Sequence, residues 1–222
     1  MRFPVFYFLL LLGDLTARYF QNDLPYLEYF FKPALLMSLG FYFFRQSNAL
    51  KQGSTDYFML SAIVFSCLGD ILLMFDGQFI LGLGAFLIAH ISYIFAFLAD
   101  NKGLVFNKKD RLLGVVLILA WGIGFIFYLS PHLGNLKIPV FAYSATILTM
   151  LLTALNRWKS VRFESFQWVF MGAISFVLSD SLLAINKFAQ PLPFAGFLIM
   201  LTYGIGQYLI VEGYLKNRRL EN

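Results

Sequence analysis

Charged residues are scarce in this chain. Asp, Glu, Lys and Arg make up only 13% of its 222 residues, whereas 59% are hydrophobic and the mean hydropathy is +0.72. In soluble domains about a quarter of the residues are charged. The apolar excess recurs along the whole length, with short polar connectors between the apolar runs. This composition excludes a soluble globular domain and predicts a single membrane domain over residues 1–222.

Cysteine and histidine are also rare, which removes several chemistries. The single cysteine, Cys67, excludes an intramolecular disulfide, and we expect it to be a small core residue. Of two histidines, His132 follows a proline in a loop, so a multi-histidine zinc site is poorly supported. The sequence contains neither a GxSxG nucleophile motif nor a Walker loop. We therefore expect no metal and no other cofactor.

Apolar segments of the length that spans a bilayer, about 17–25 residues, occur eight times. They lie at residues 3–20, 31–45, 57–75, 79–99, 111–130, 138–155, 165–186 and 193–215. The fold class predicted is therefore all-α, a polytopic membrane helical bundle. No small-residue cleavage site follows the first segment, so we expect a retained span and not a removed signal peptide. Short links predict two antiparallel hairpins, of the third span with the fourth and of the seventh with the eighth.

The basic residues are distributed unevenly between the two sides of this eight-span arrangement. Thirteen of the 17 Lys and Arg residues fall on the side of both termini. The other side holds Arg18, Lys32, Lys137 and Lys187. Because basic residues concentrate in cytoplasmic loops, both termini are predicted to be cytoplasmic. The net charge of +5 is thus an orientation signal, and no nucleic acid partner is expected. The compact chain and its basic loops indicate a multi-pass protein of the bacterial inner membrane.

Two aspartates interrupt the apolar segments. Asp70 lies in SCLGDILLMF and Asp180 in FVLSDSLLAINKF, so that GDILL and SDSLL echo one another. An ionisable residue near the bilayer centre costs at least about 2.5–3.5 kcal/mol, which makes it a functional hypothesis by default. A rise of about 1.5 Å per residue places both aspartates roughly 20 Å from the cytoplasmic ends of their helices. This shared depth predicts Asp70 and Asp180 as catalytic residues that act on one bond.

Further polar residues accompany these aspartates and are predicted to bind a substrate. Lys32 opens the second span on the outer side, where a phosphate would meet it. His90 and Tyr93 lie in the fourth span, Asn186 lies two turns after Asp180, and Tyr203 lies in the eighth span.

Hydrogen bonding between helices is the alternative interpretation of all these groups. Buried Asp, Asn and Tyr side chains can join helices without any chemistry. A lone histidine such as His90 is more often a packing residue than a ligand or base. Asp14 and Arg18 are one turn apart in the first span, and we expect them to pair with each other.

Several strings resemble the YhhN family of membrane proteins. They are Lys32-Pro33, SCLGDILLMF (66–75), GLGAFLIAHISYIFAF (82–97) and GAISFVLSDSLLAINKF (172–188), and the resemblance extends from about residue 30 to residue 212. Animal members of the family are lysoplasmalogenases. The resemblance implies an eight-span enzyme that hydrolyses the vinyl-ether bond of lysoplasmalogens. Its products would be a fatty aldehyde and glycerophosphoethanolamine or glycerophosphocholine.

The two aspartates suit this chemistry. Vinyl-ether hydrolysis begins with protonation of the carbon β to oxygen, which gives an oxocarbenium ion that water then attacks. The reaction needs a protonated carboxylic acid, which a medium of low dielectric favours, and a carboxylate that stabilises the cation. The sequence leaves open which aspartate is the acid.

Two other functional classes also place acids within membrane helices. Intramembrane aspartyl proteases carry GxGD and PAL motifs, whereas this chain has CLGD, LSD and, at 190–193, QPLP. A proton-coupled transporter or a lipid-sensing protein would also bury acidic residues. Turnover of a lysoplasmenyl lipid by the purified protein separates an enzyme from both.

Overall fold

The computed structural model describes residues 3–20, 26–50, 53, 55–99 and 109–221. Within these ranges the chain forms eight α-helices and no strand. They are α1 Phe3–Tyr19, α2 Glu28–Ala49, α3 Asp56–Leu72, α4 Phe79–Ala99, α5 Lys109–Leu129, α6 Lys137–Asn156, α7 Phe163–Ala184 and α8 Ala195–Glu221. A π-helical turn, Ile185–Ala189, continues α7. The predicted all-α helical bundle is confirmed.

The helix boundaries depart from the predicted spans mainly at α2 and at the end of α8, which continues to Glu221 where residue 215 was predicted. The helix α2 begins at Glu28 and ends at Ala49, so it is longer than the predicted 31–45 and contains Pro33 in its second turn. A proline removes one backbone hydrogen bond without ending a helix when the rest of the helix is well packed. The prediction that Lys32-Pro33 marks the helix start was therefore wrong by about one turn.

Among the residues that the structure describes, five helical segments are long and apolar enough to cross a membrane. They are Phe79–Ala99, Arg111–His132, Gly134–Asn156, Phe163–Ala189 and Ala195–Arg219. The helices α1 and α3 have 17 residues each, which corresponds to about 26 Å and is at the lower limit for a bilayer. Large apolar side chains such as Phe127 and Ile138 are more than four-fifths exposed. An apolar surface of this kind is typical of a protein embedded in lipid.

Packing is closest within the two hairpins that the short links predict. The helix α3 packs mainly on α4, and α7 packs mainly on α8. A Cβ atom added to Gly172 would lie 2.8 Å from the carbonyl oxygen of Gly206, so only glycine permits this approach of α7 to α8. The helix α8 also contacts α1 and α2. It thus lies at the centre of the bundle, whereas α5 packs mainly on α6 at the periphery.

An ion pair joins the first two helices at one end of the bundle. Arg18 Nε lies 2.8 Å from Oδ2 of the buried Asp14, which confirms the predicted pair. A second nitrogen of Arg18 lies 3.5 Å from Glu28 at the start of α2. The pairing gives a cationic partner to Asp14, one of the few acidic side chains buried within the bundle.

Candidate active site

Asp70 lies near the end of α3 and is bound by residues of two other helices. Its Oδ1 is 3.3 Å from Nζ of Lys32, and its Oδ2 accepts a hydrogen bond of 2.6 Å from the Tyr203 hydroxyl. Lys32 also donates to the backbone carbonyl of Asp70 at 3.3 Å. The carboxyl group is only 2% exposed, so its charge is balanced by one ammonium group and not by water. The helices α2, α3 and α8 together hold it in place.

Asp180 occupies a different environment on α7. The hydroxyl of Tyr143, on α6, donates a hydrogen bond to its Oδ2. His90 Nε2 lies 4.0 Å from the same oxygen. Among the described residues, no lysine or arginine lies within ion-pair distance of this carboxyl group. Asp70 therefore has a cationic partner, whereas Asp180 has a phenol.

His90 is fully buried beside Asp180. Its ring packs edge-on against Phe176, at 4.8 Å between centroids, and against Tyr143, at 5.3 Å. Over the parts of the chain that the structure describes, neither ring nitrogen has a hydrogen-bond partner. Buried polar atoms are almost always satisfied. The imidazole therefore has two positions with which it can bind a polar ligand.

Aromatic rings lie between the two carboxyl groups. Tyr203, which binds Asp70, packs edge-on against Phe176 at 5.2 Å and against Phe86 at 5.9 Å. Phe176 in turn contacts His90, next to Asp180. Within the described chain the two aspartates make no hydrogen bond to each other. They are thus neighbours across an aromatic layer and do not share a proton as the two acids of an aspartyl protease do.

An apolar cavity of about 60 Å³ adjoins Asp180 and not Asp70. Its polar lining comes from Asp180, Tyr143, Ser144 and Ser181. The remaining wall is apolar and comes from α4, α5, α6, α7, the residue after α3 and the π-helical turn, including Leu73, Phe79, Phe86, Trp121, Phe125, Ile147, Val177 and Phe188. Such a space suits a short part of a hydrocarbon chain, with one carboxyl group in its wall.

The predicted substrate-binding residues are only partly brought together. Lys32 and Tyr203 lie against Asp70, and His90 lies against Asp180. Tyr93 is fully buried and donates to Oε1 of Gln207 at 2.5 Å, which joins α4 to α8. Asn186 accepts the backbone N–H of Leu192 at 2.9 Å and so closes the link between α7 and α8. Tyr93 and Asn186 therefore bind partners other than the two aspartates.

Two residues of this region were not singled out from the sequence as parts of a site. Tyr143 is one of 12 tyrosines, and nothing in its neighbourhood, FAYSATIL, marks it as the partner of Asp180. Lys187 lies with its Nζ 5.2 Å from the ring centroid of Phe79. Because Phe79 and Phe188 both line the cavity, Lys187 lies at the end of the cavity nearest the link between α7 and α8. In the sequence, Lys187 stood out only as one of the four basic residues on the predicted outer side.

Groups of three or more His, Cys, Asp or Glu side chains in an arrangement that could hold a metal ion do not occur among the described residues. The site therefore consists of two separately bound carboxyl groups, one unpartnered imidazole and an apolar cavity.

Comparison with known proteins identifies relatives over most of the chain. The human lysoplasmalogenase TMEM86B is 34% identical over 166 residues, which cover 74% of this chain and 66% of the human protein. The pig lysoplasmalogenase TMEM86B is 37% identical over 149 residues, covering 67% of this chain and 59% of the relative. A lysoplasmalogenase of Mycobacterium tuberculosis is 29% identical over 195 residues, covering 85% and 72%.

The matched part of the chain thus spans less than two thirds of the length of the human and pig relatives. No solved structure is significantly similar. The sequence model of the YhhN family matches residues 27–214, which include both aspartates, Lys32, His90 and Tyr143. The chain belongs to the YhhN family.

Proposed function

We propose that this protein is a lysoplasmalogenase-type hydrolase. It cleaves the vinyl-ether bond of a lysoplasmalogen to a fatty aldehyde and glycerophosphoethanolamine or glycerophosphocholine. The observation that carries the proposal is Asp180, a carboxyl group in the wall of an apolar cavity that has no cationic partner among the described residues. The human, pig and mycobacterial relatives are lysoplasmalogenases, which supports the same reaction.

The site offers what vinyl-ether hydrolysis requires. Rate-limiting protonation of carbon needs an undissociated acid held against the double bond, and general acid catalysis is worth about 10²–10⁴-fold. The oxocarbenium ion that results needs nearby negative charge and one water molecule. Asp70 and Asp180 supply the two carboxyl groups, and the apolar wall limits the access of other water to the cation. No cofactor is needed for these steps.

The substrate is proposed to lie with the vinyl-ether end of its alkenyl chain in the cavity and its glycerophosphate towards the link between α7 and α8. Among the described residues neither ring nitrogen of His90 has a partner, and Nε2 lies 4.0 Å from Asp180. His90 is proposed to bind the glycerol oxygens or the attacking water next to that carboxyl group, although it does not line the cavity in the free protein. Lys32, Tyr93, Asn186 and Tyr203 are proposed as further substrate contacts, although in the free protein each has a partner within the bundle. The lysophospholipid enters sideways from the membrane.

The protein is proposed to be a single membrane domain of eight spans in the bacterial inner membrane, with both termini cytoplasmic. The uneven distribution of basic residues supports this orientation. It places the α7–α8 link, the nearby Lys187 and the end of the cavity nearest that link on the outer side.

Turnover by the purified protein tests the function. The protein in detergent is given 1-alkenyl lysophosphatidylethanolamine, and the release of fatty aldehyde is measured. The 1-alkyl analogue, which has the same chain but no double bond, is the matched control and should not be cleaved. Release of aldehyde from the alkenyl lipid alone supports the proposal, whereas no release by the folded, monodisperse protein contradicts it.

A proton-coupled transporter or lipid-sensing protein is the second candidate. An acid without a cation in a membrane helix, as at Asp180, is also found in proton-translocating proteins. Those proteins would bind or transport the lysolipid without releasing aldehyde, so the same assay separates the two classes.

A further inference from the structure

We infer that the two aspartates have different and fixed roles: Asp180 delivers the proton to carbon, and Asp70 remains ionised in a pair with Lys32. Tyr143 is assigned as the positioning residue of Asp180. This inference rests on the proposed function. It follows from what each carboxyl group contacts.

Asp70 has the contacts of a permanent carboxylate. An ammonium group lies 3.3 Å from Oδ1, and a phenol donates to Oδ2 at 2.6 Å. Both partners are donors, so each carboxyl oxygen acts as an acceptor and neither has to carry a proton. A charge buried in apolar surroundings is tolerated when it is paired and hydrogen-bonded. Asp70 does not line the cavity, so it is also badly placed to reach a substrate carbon.

Asp180 has the contacts of a neutral acid. Its one hydrogen bond among the described residues comes from Tyr143, and the nearest titratable nitrogen, on the buried His90, is 4.0 Å away. An isolated carboxylate in an apolar site costs several kcal/mol and instead takes up a proton. Tyr143 occupies Oδ2, so Oδ1 carries the proton, and the carboxyl group lies in the wall of the cavity.

Asp180 alone can supply and take back every proton that the reaction exchanges with a carboxyl group. The proton leaves Oδ1, and the electron pair of the double bond forms the new C–H bond at the carbon β to the ether oxygen. The adjacent carbon becomes an oxocarbenium ion, paired with the carboxylate that Asp180 has become. Tyr143 continues to donate to that carboxylate, which stabilises it at the moment when charge develops.

Water completes the cycle. Its oxygen bonds to the cationic carbon while Asp180 takes one of its protons, which regenerates the acid and gives a hemiacetal. The hemiacetal then breaks its bond to the glycerol oxygen. Its hydroxyl proton ends on that oxygen, and the products are the aldehyde and the glycerol alcohol. Asp70 stays charged throughout and offsets the ammonium group of Lys32, which would otherwise oppose the cation.

Chemical rescue tests the assignment in the full-length protein. Asp180→Ala and Asp70→Ala each leave space for a small acid, and formic acid, acetic acid and imidazolium are added at one fixed pH. Asp180→Ala should lose about 10²–10⁴-fold in kcat and regain activity in proportion to the protonated form of the added acid. Asp70→Ala should show no rescue by protonated acids. Acetamide, which cannot deliver a proton at this pH, is the control additive.

A second pair of variants tests the assignment without requiring an added acid to fit into the space left by an alanine substitution. Asp70→Asn leaves the ammonium group of Lys32 unpaired beside the site, whereas Asp70→Asn with Lys32→Met is uncharged. If Asp70 never exchanges a proton, the double variant should be at least about tenfold faster than Asp70→Asn alone, as expected for two directly coupled residues. If Asp70 is the donor, both should be equally inactive.

The outcomes separate the inference from the function on which it rests. Absence of aldehyde release by the wild type defeats the proposed function. With an active wild type, rescue of Asp180→Ala and recovery in the double variant support the assignment. Rescue of Asp70→Ala in place of Asp180→Ala, or an inactive double variant together with no rescue of either alanine variant, overturns it. Each variant is checked for a monodisperse peak in detergent, so that misfolding is not scored as lost chemistry.

Discussion

Lys32 Nζ lies 3.3 Å from both the carboxylate Oδ1 and the backbone carbonyl oxygen of Asp70. Both contacts of the ammonium group are thus with Asp70, and Lys32 is only 8% exposed. From the sequence alone, Lys32 was predicted to bind the phosphate of a substrate, a role that no observation has yet tested. The structure adds a second role, as the counter-ion of a buried carboxylate.

The two roles of Lys32 predict different kinetics. As a counter-ion, Lys32 is needed for the charge state of Asp70, so Lys32→Met should lower kcat by at least about tenfold, the cost of disturbing one charged hydrogen bond. As a phosphate ligand, it would chiefly raise KM. Steady-state kinetics on alkenyl lysophosphatidylethanolamine distinguish them. A raised KM with unchanged kcat would return Lys32 to the phosphate site.

Replacing either aspartate with asparagine should abolish most of the turnover. Asparagine preserves volume and hydrogen bonding but cannot deliver a proton or carry charge, so each of Asp70→Asn and Asp180→Asn should lose about 10²–10⁴-fold in kcat. In D₂O the wild type should be slower, because proton transfer to carbon limits the rate. If both variants keep more than about a tenth of the wild-type rate, the acid–base mechanism is wrong.

Tyr143→Phe should lower kcat with little change in KM. The variant removes only the hydroxyl that donates to Asp180, and a hydrogen bond to a charged group is worth about 1.5–3 kcal/mol, or roughly 10–100-fold. Tyr7→Phe is the matched control, because it removes a fully buried hydroxyl that donates to the backbone carbonyl of Gly204 at 2.8 Å and not to an aspartate. Its effect should appear as a lower Tm with kcat near wild type. Equal losses of kcat in both variants would remove Tyr143 from the mechanism.

Lys187→Ala should raise KM for a substrate that carries a phosphate. Lys187 lies seven residues beyond Asp180, a rise of about 10 Å, and a glycerol unit together with the lysine side chain can bridge that separation. The matched substrate is 1-alkenylglycerol, which has the vinyl ether but no phosphate and should be cleaved equally by wild type and variant. Lys137→Ala, a second lysine of the same predicted side, is the control for general surface charge. A similar KM increase in both variants would contradict a specific contact.

Reporter fusions test the orientation. Because 13 of the 17 basic residues lie on the side of both termini, a phosphatase fused at residue 222 should be inactive and one inserted within residues 132–137 should be active. An active phosphatase at residue 222, or at neither position, would overturn the eight-span arrangement with cytoplasmic termini.

The helices and the two aspartates could be predicted because both leave local signals. Apolar runs predict helices, and a carboxyl group inside such a run is conspicuous, as Asp70 and Asp180 are. The pairing of Asp14 with Arg18 was equally local, one helical turn apart. The beginning of α2 differs from the prediction because Pro33, next to the Lys32 that opens the predicted span 31–45, lies inside a helix that starts at Glu28.

Hydrogen-bond partners on other helices could not be predicted. The hydrogen bond from Tyr143 to Asp180 joins α6 to α7, and the one from Tyr93 to Gln207 joins residues 114 positions apart. Nothing in the sequence near Tyr143 or Tyr93 distinguishes one tyrosine from the other, because packing between helices decides which hydroxyl meets which acceptor. For the same reason, the aromatic layer that keeps the two carboxyl groups apart was not foreseen.

The ion pair between Lys32 and Asp70 also has a consequence for biogenesis. Each of these residues alone is costly to insert, at about 2.5–3.5 kcal/mol. They lie on consecutive helices, so they can neutralise each other as soon as the α2–α3 hairpin enters the bilayer. Tyr203 joins Asp70 across 133 residues and arrives only with the final helix. A nascent chain that lacks α8 can therefore hold the ion pair but not the finished site, and activity begins only when synthesis of the chain is nearly complete.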